Sequence, residues 1–190
     1  MERYFLGNNS GSGFWNEYDG ELKRADKVAL IKGGSGTGKS TIMKKIAAFA
    51  QKQGHDIEIW HCSGDPKSLD GVYIKDINRA VVDATAPHAS GVDIPIVKDR
   101  IFDVANNLDG SKLDGMRDEI EKLIKCKKAH FIRAYQHLKS ALCHYINQIE
   151  IEKQGVDERK IRRIASEYCE KLFLSDGGES RGRTLFSRAI

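Results

Sequence analysis

The residues best suited to chemistry lie in one glycine-rich segment, Gly33-Gly34-Ser35-Gly36-Thr37-Gly38-Lys39-Ser40. Its spacing, GxxxxGK[ST], is typical of loops that bind the phosphates of a nucleoside triphosphate. Phosphate oxygens need many donors at close range, and glycine lets the backbone wrap tightly and turn its N–H groups toward them. The segment therefore predicts a triphosphate-binding loop.

Each part of this segment has an expected role, with ATP and Mg²⁺ as the predicted ligands. The N–H groups from about Gly36 to Thr41 should surround the β-phosphate at the positive end of the following helix. Lys39 should bring its ammonium group to the β- and γ-phosphates, and Ser40 should offer its hydroxyl to Mg²⁺. The residues predicted to bind the nucleotide are Gly33, Gly34, Ser35, Gly36, Thr37, Gly38, Lys39, Ser40 and Thr41.

A triphosphate site also needs an acid for its magnesium, and Asp83 is the favoured candidate. It ends the apolar run Arg79–Asp83, and an acid at the end of a strand beside the loop suits a metal-bound water. Asp65 is the rival, better suited to touching a second substrate or holding a loop. The sequence predicts Ser40 and Asp83 as the magnesium residues.

The groups that would complete catalysis are harder to identify. Many strongly hydrolytic ATPases have a water-activating Glu directly after the metal-binding acid, whereas Ala84 follows Asp83 here. His88 is the candidate that could polarise a water or sense the γ-phosphate. A cation should also stabilise the transferred phosphoryl group. The candidates, which the sequence does not rank, are Arg79, Arg100, Arg133, Arg159, Arg162, Arg163, Arg181 and Arg183.

The elements around the loop predict an α/β fold with a mostly parallel sheet flanked by helices. Residues 7–13 are predicted to form a loop. Phe14 and Trp15 beyond them could stack on a base, but core packing or a hydrophobic plug is the favoured interpretation. The predicted strands are residues 27–32, 56–61, 79–83 and 100–104, with a short extended piece at 72–74, and the predicted helix after the loop is residues 40–53.

From Ser111 onward, apolar residues recur at helical spacing. The pattern predicts one or two long helices, with a possible break at residues 126–128, and a further helix capped by Asp157. We expect a single P-loop NTPase domain over residues 1–190. Its predicted parts are a nucleotide-binding core at 1–110, a helical segment at 111–175 and a tail at 176–190 that adds an edge strand.

Composition limits the functional classes. The net charge of +4 is too small to predict nucleic-acid binding. No apolar run is long enough to predict a membrane span or a secretion signal. The four cysteines are scattered and form no CxxC pair, so they favour a reducing cytoplasm over a disulfide framework.

With these motifs in place, the chain resembles a family of largely uncharacterised bacterial P-loop ATPases. The resemblance covers nearly the whole chain. It is carried by the glycine loop, by Ser68-Leu69-Asp70-Gly71-Val72 and by Val82-Asp83-Ala84-Thr85-Ala86-Pro87-His88. Ser35 and Ala84 differ from the usual family pattern, which has Pro and Gly there. Since the family often carries two such halves in tandem, the resemblance implies a second P-loop half, or a homo-oligomer, as the partner.

Three functional hypotheses follow. The first is an ATPase in which water attacks the γ-phosphate and the helical segment responds. The second is a small-molecule or nucleotide kinase that uses the helical segment as a lid over an acceptor. The third is a nucleotide-gated binding module with little catalysis.

Overall fold

The computed structural model describes residues 1–85 and 94–173. Within them the protein is α/β, with a six-stranded, mostly parallel mixed sheet and one long helix. The sheet strands are β1 Glu2–Tyr4, β4 Lys27–Lys32, β5 Ile57–His61, β6 Leu69–Ile74, β7 Arg79–Asp83 and β8 Asp99–Asp103, and the two strands β2 Gly7–Ser10 and β3 Gly13–Asn16 form a separate hairpin. The helices are α1 Tyr18–Leu22, α2 Lys39–Lys52, α3 Gly110–Asp114, α4 Arg117–Lys153 and α5 Glu158–Phe173, with short 3-10 turns at Lys75–Ile77 and Val104–Asn107.

The strand that precedes the glycine loop lies inside the sheet. The sheet order is β1-β5-β6-β7-β4-β8, and β4 pairs in parallel with β7 on one side and β8 on the other. β6 is antiparallel to both of its neighbours, so the other five strands point the same way. Because the carboxyl ends of β4 and β7 share one sheet edge, and Ile31 pairs with Asp83, the glycine loop begins beside that acid.

Successive side chains of β4 point to opposite faces of the sheet, and apolar residues of β4 contribute to a buried core on each face. Val28 and Leu30 belong to one buried cluster, with Tyr18 and Leu22 of α1. Ile31 belongs to the other, with Met43, Ala47 and Ala50 of α2. Both faces of the strand are therefore covered, as the continuous apolar run Val28–Ile31 predicts.

The predicted elements of the core are confirmed, with two corrections. The prediction of a loop over residues 7–13 is wrong, because residues 7–10 and 13–16 form an antiparallel hairpin, with Gly7 paired to Asn16 and Ser10 to Gly13. The short piece at 72–74 is one half of β6, whose six residues are all buried. The hairpin contains glycine and asparagine, and β6 contains Asp70-Gly71, which are residue types that disfavour strands. The local sequence therefore did not predict these strands, and tertiary pairing stabilises them.

The long helix α4 is continuous where the sequence pattern allowed a break. α4 continues through residues 126–128 without a break and has no buried residue. The predicted cap of α5 is confirmed, since Asp157 Oδ1 accepts hydrogen bonds from the N–H groups of Arg159 and Lys160 at 3.0 and 3.1 Å. The predicted tail at 176–190 lies outside the described residues.

By its contacts the chain divides into two compact units, Met1–Gln136 and a second unit that begins at His137. The first contains the sheet, the hairpin, α1 to α3 and the start of α4. All the contacts of the candidate site fall within this first unit. Across residues 1–85 and 94–173, the helices all lack the length of apolar sequence that a membrane crossing requires.

Candidate functional site

The glycine loop adopts a conformation that needs its glycines. Gly36 and Gly38 have φ angles of +79° and +92°, in the left-handed region where a side chain is strained. Gly38 is also the residue immediately before α2. The N–H groups of Lys39, Ser40 and Thr41 precede the first main-chain bond of the helix, from Ile42 N to Gly38 O at 3.0 Å, so the helix itself offers them no acceptor.

Lys39 lies across the loop and next to the predicted metal acid. Its Nζ donates to the carbonyl oxygens of Gly33 and Gly34 at 2.7 and 2.8 Å. The same Nζ lies 3.6 Å from Asp83 Oδ2, and both side chains are largely buried. An ammonium group has three donors, so Lys39 is fixed in place by the loop and still has donor capacity for an anion.

Asp83 and Ser40 are each held by a single main-chain amide. Asp83 Oδ1 accepts from Thr85 N at 2.8 Å, and Thr85 Oγ1 donates to Gly33 O at 3.0 Å, which ties the end of β7 to the loop. Ser40 Oγ accepts from Leu69 N of β6 at 2.9 Å. Each residue therefore keeps free oxygen lone pairs, the ligand type that Mg²⁺ prefers.

A cleft of about 820 Å³ opens over these residues. Ser35 through Thr41 and Asp83 line it, so the structure brings the predicted loop and the predicted metal acid to one space. Among the described residues that line it are three lysines, Lys39, Lys44 and Lys127, and three aspartates, Asp65, Asp70 and Asp83. Lysines suit phosphate oxygens and carboxylates suit a divalent cation, so the side chains fit a magnesium-bound polyphosphate.

Asp70 is an acid in this cleft that the motif analysis did not assign to the site. It lies on β6, is 3% exposed, and its Oδ2 accepts from the hydroxyl of the fully buried Tyr18 at 3.0 Å. Burial, with the negative charge of Asp70 beside it, raises the pKa of Tyr18, so the phenol keeps the proton that it donates. The signal that could have found Asp70 is an acid inside an otherwise apolar strand.

Cys62 also lines the cleft, near Asp70. Burial raises the pKa of its thiol, and the charge of Asp70 adds to the effect. The thiolate is the nucleophilic form of cysteine, so this shift disfavours a role for Cys62 as a nucleophile.

Two walls face each other across the cleft. We call residues Gly33–Thr41 together with Asp83 the loop wall. We call Lys127, Phe131 and Tyr135, at intervals of four residues on α4, the helical wall. Lys127 Nζ donates to Ser35 Oγ at 3.0 Å, and Tyr135 Oη donates to Asn9 Oδ1 at 2.6 Å.

The β2–β3 hairpin completes the cleft beside the helical wall. Asn9 Nδ2 donates to the carbonyl oxygen of Ser63 at 3.3 Å and to its hydroxyl at 3.2 Å, which connects the hairpin to the segment after β5. Phe14 lines the cleft and is half-buried, while Trp15 is 53% exposed. Neither aromatic belongs to the two buried core clusters, so the core-packing interpretation does not describe them.

The remaining candidates fall in different places. Asp65 lines the cleft and holds its own loop, because its carboxylate accepts from the Ser68 hydroxyl at 2.6 Å and the Lys67 amide at 3.2 Å. Those bonds hold the pKa of Asp65 below its usual range. His88 lies outside the described residues. Lys127 lines the cleft, and none of the described arginines is among the residues that line it. Nothing in the local sequence distinguishes Lys127 from its neighbours on α4.

Comparisons with protein-family descriptions, with curated proteins and with solved structures find no match to this chain. The family resemblance therefore remains a prediction from the motifs.

Proposed function

We propose that this protein is a P-loop NTPase that binds Mg–ATP on the loop wall and hydrolyses its β–γ phosphate bond. The observation that carries the proposal is the position of Lys39, held by the carbonyls of Gly33 and Gly34 and 3.6 Å from Asp83. The Lys39 ammonium group, a run of helix-start amides and two oxygen ligands meet at one cleft. That combination suits a triphosphate with its metal.

The proposal gives each of these residues a role. The amides from Gly36 to Thr41 bind the β-phosphate, and Lys39 bridges the β- and γ-phosphates by exchanging its bonds to the carbonyls of Gly33 and Gly34 for bonds to phosphate oxygens. Ser40 and Asp83 would hold Mg²⁺, directly or through water, and the ion supplies neutralisation of the charge on the phosphate oxygens. In the reaction a water oxygen bonds to the γ-phosphorus while the bond to ADP breaks. The ADP oxygen keeps the electron pair, and the water's proton leaves with the phosphate.

Asp70 is the candidate group for orienting the attacking water. It is a buried carboxylate on the cleft whose Oδ2 is fixed by Tyr18 at 3.0 Å. A fixed acceptor is what a water or a hydroxyl needs for a defined line of attack. Asp70 thus offers the function that a Glu after Asp83 supplies in strongly hydrolytic ATPases.

A kinase activity is the second candidate, and the size of the cleft favours it. The space extends from the loop wall to Asn9, Phe14 and Phe131, well beyond the groups that phosphates require. With two aromatic rings and one amide, this part of the cleft suits a ring-bearing acceptor that carries a hydroxyl group. That hydroxyl would replace water as the attacking species. In that case Asp70 would accept the proton of the hydroxyl.

A cytoplasmic location goes with either activity. All four cysteines, Cys62, Cys126, Cys143 and Cys169, carry free thiols. Free thiols persist where the surroundings are reducing.

The decisive experiment measures binding and turnover together. Calorimetry with Mg–ATP should show binding to the wild-type chain, and the Lys39→Ala variant should lose at least about 10²-fold in turnover, the scale for one strong charge stabiliser. Lys45→Ala is the matched control, because Lys45 is an exposed lysine on the same helix and should leave turnover unchanged. A wild-type chain that gives no heat with ATP or GTP in magnesium would refute the proposal.

The two activities separate by where the γ-phosphate goes. Incubation with γ-labelled ATP should release free phosphate for an ATPase and a labelled product for a kinase when nucleosides and other hydroxyl compounds are added. Binding without release or transfer would leave a nucleotide-gated module as the function.

A further inference from the structure

The helical wall places a second cation at the glycine loop. Lys127 Nζ donates to Ser35 Oγ at 3.0 Å across 92 residues of chain. A single bond between a lysine and a neutral hydroxyl at an exposed position contributes little stability by itself. The bond matters because it holds the positive charge of Lys127 beside the glycine loop.

Two further contacts fix the part of α4 that carries this lysine. Residues four apart on a helix share one face, so Lys127, Phe131 and Tyr135 point to the same side over two turns. The Phe131 ring lies against Gly64, and the Tyr135 hydroxyl donates to Asn9 at 2.6 Å. Three successive contacts of α4 therefore meet the loop, the segment after β5 and the hairpin, and Lys127 projects into the cleft from a defined position.

Lys127 reaches the part of the glycine loop that is predicted to surround the phosphates. Ser35 comes just before the amides that should bind the β-phosphate, and just after Gly34, whose carbonyl accepts from Lys39 at 2.8 Å. The two lysines therefore bind neighbouring residues of the loop, Lys39 at the carbonyl of Gly34 and Lys127 at the hydroxyl of Ser35. Both lysines line the same cleft.

We propose that Lys127 is a catalytic residue that binds the γ-phosphate oxygens of the bound nucleotide. The proposal rests on the proposed function. An ammonium group has three donors, so Lys127 can keep its bond to Ser35 and still donate to phosphate oxygens. Negative charge on those oxygens must be stabilised as the phosphoryl group is transferred, and a cation supplied by α4 does so.

The test compares nucleotides that differ only in the γ-phosphate. In Lys127→Met, affinity for Mg–ATP should fall about 10-fold, as expected for one charge-assisted hydrogen bond, while affinity for Mg–ADP stays the same. Turnover should fall by about 10²-fold, the scale for one donor to a developing charge. Lys127→Arg should restore most of the ATP preference. Lys125→Met is the control, because Lys125 lies two residues away on α4 and therefore points to another side of the helix.

The outcomes separate this inference from the proposed function. If Lys127→Met weakens ATP and ADP equally, or changes neither affinity nor turnover, Lys127 does not touch the γ-phosphate and the inference is wrong. The ATPase proposal would survive that result, since it depends on Lys39. If the wild-type chain binds neither nucleotide, the proposed function fails first, and Lys127 has no phosphate to bind.

Discussion

The two walls of the cleft are built in opposite ways. The loop wall takes nearly all its groups from nine consecutive residues, which run from the end of a buried strand into the first turn of the following helix. The helical wall comes from α4, which has no buried residue, and its bonds reach partners 92 and 126 residues away in sequence. We therefore expect the loop wall to provide most of the affinity for phosphates. We expect the helical wall to affect the preference for ATP over ADP and the rate of turnover. Variants on each wall can break or sharpen this comparison.

The largest effect in this set is expected for the acid of the loop wall. Asp83→Asn keeps the shape and removes the charge that faces Lys39 at 3.6 Å and the proposed metal. Magnesium-dependent turnover should fall by about 10- to 100-fold, the range for losing a group that supports a metal site. Titrating Mg²⁺ at a fixed ATP concentration measures this loss of turnover. An unchanged magnesium dependence would mean that Asp83 does not support the metal.

A smaller effect is expected from straining the backbone of the loop wall. Gly36→Ala places a side chain at a φ of +79°, which costs about 1–2 kcal/mol. Gly54 at the end of α2 has a similar φ of +86°, and neither position has atoms within 4 Å of an added Cβ. Gly54→Ala is therefore a matched control for strain.

Gly54→Ala should lower the free energy of unfolding by about 1–2 kcal/mol, which chemical denaturation measures. In Gly36→Ala the loop can relax in the free protein, so the strain should appear instead when Mg–ATP holds the loop in its original shape, as binding about 10-fold weaker for about 1.4 kcal/mol. Equal nucleotide affinity in the two variants would mean that the shape of the loop does not select the ligand.

The smallest effect is expected on the helical wall. Tyr135→Phe removes the hydroxyl that donates to Asn9 at 2.6 Å, and should cost about 0.5–1.5 kcal/mol of unfolding free energy. The preference for ATP over ADP should fall a few-fold, less than in Lys127→Met, because the lysine would be less well positioned rather than absent. Tyr145→Phe, at an exposed position farther along α4, is the control. A preference lost as completely as in Lys127→Met would mean that Lys127 acts only when the bond from Tyr135 to Asn9 holds this part of α4 in place.

Much of the loop wall could be predicted because its information is local. The run Val28–Ile31, the spacing of Gly33 to Ser40 and the helical pattern after it specify a strand, a turn and a helix with no help from the rest of the chain. The acid Asp83 could be predicted too, since it ends a short apolar run. Its position beside Lys39 depends on β7 pairing with β4, and the sequence pattern did not decide that order.

The hairpin and Asp70, which the sequence did not predict, depend on tertiary contacts rather than on local sequence. Residues 7–10 and 13–16 carry Gly, Asn and Ser, which favour turns, yet they pair as a hairpin whose Asn9 contacts Ser63 and Tyr135. Asp70 interrupts the apolar pattern of β6 and is buried with Tyr18 as its donor. In both places tertiary contacts supply the partners that the local sequence lacks, and they override propensity.

The sequence alone determined the phosphate-loop motif and its flanking strand and helix, because backbone conformation over a few residues depends on glycine, helix periodicity and apolar runs. Tertiary structure decided that β7 lies beside β4, that Asp70 and Tyr18 share a buried bond, and that Lys127 reaches Ser35. Those pairings join residues far apart in the chain: Lys39 and Asp83 are 44 positions apart, Tyr18 and Asp70 are 52, and Ser35 and Lys127 are 92. No local pattern encodes contacts over such separations.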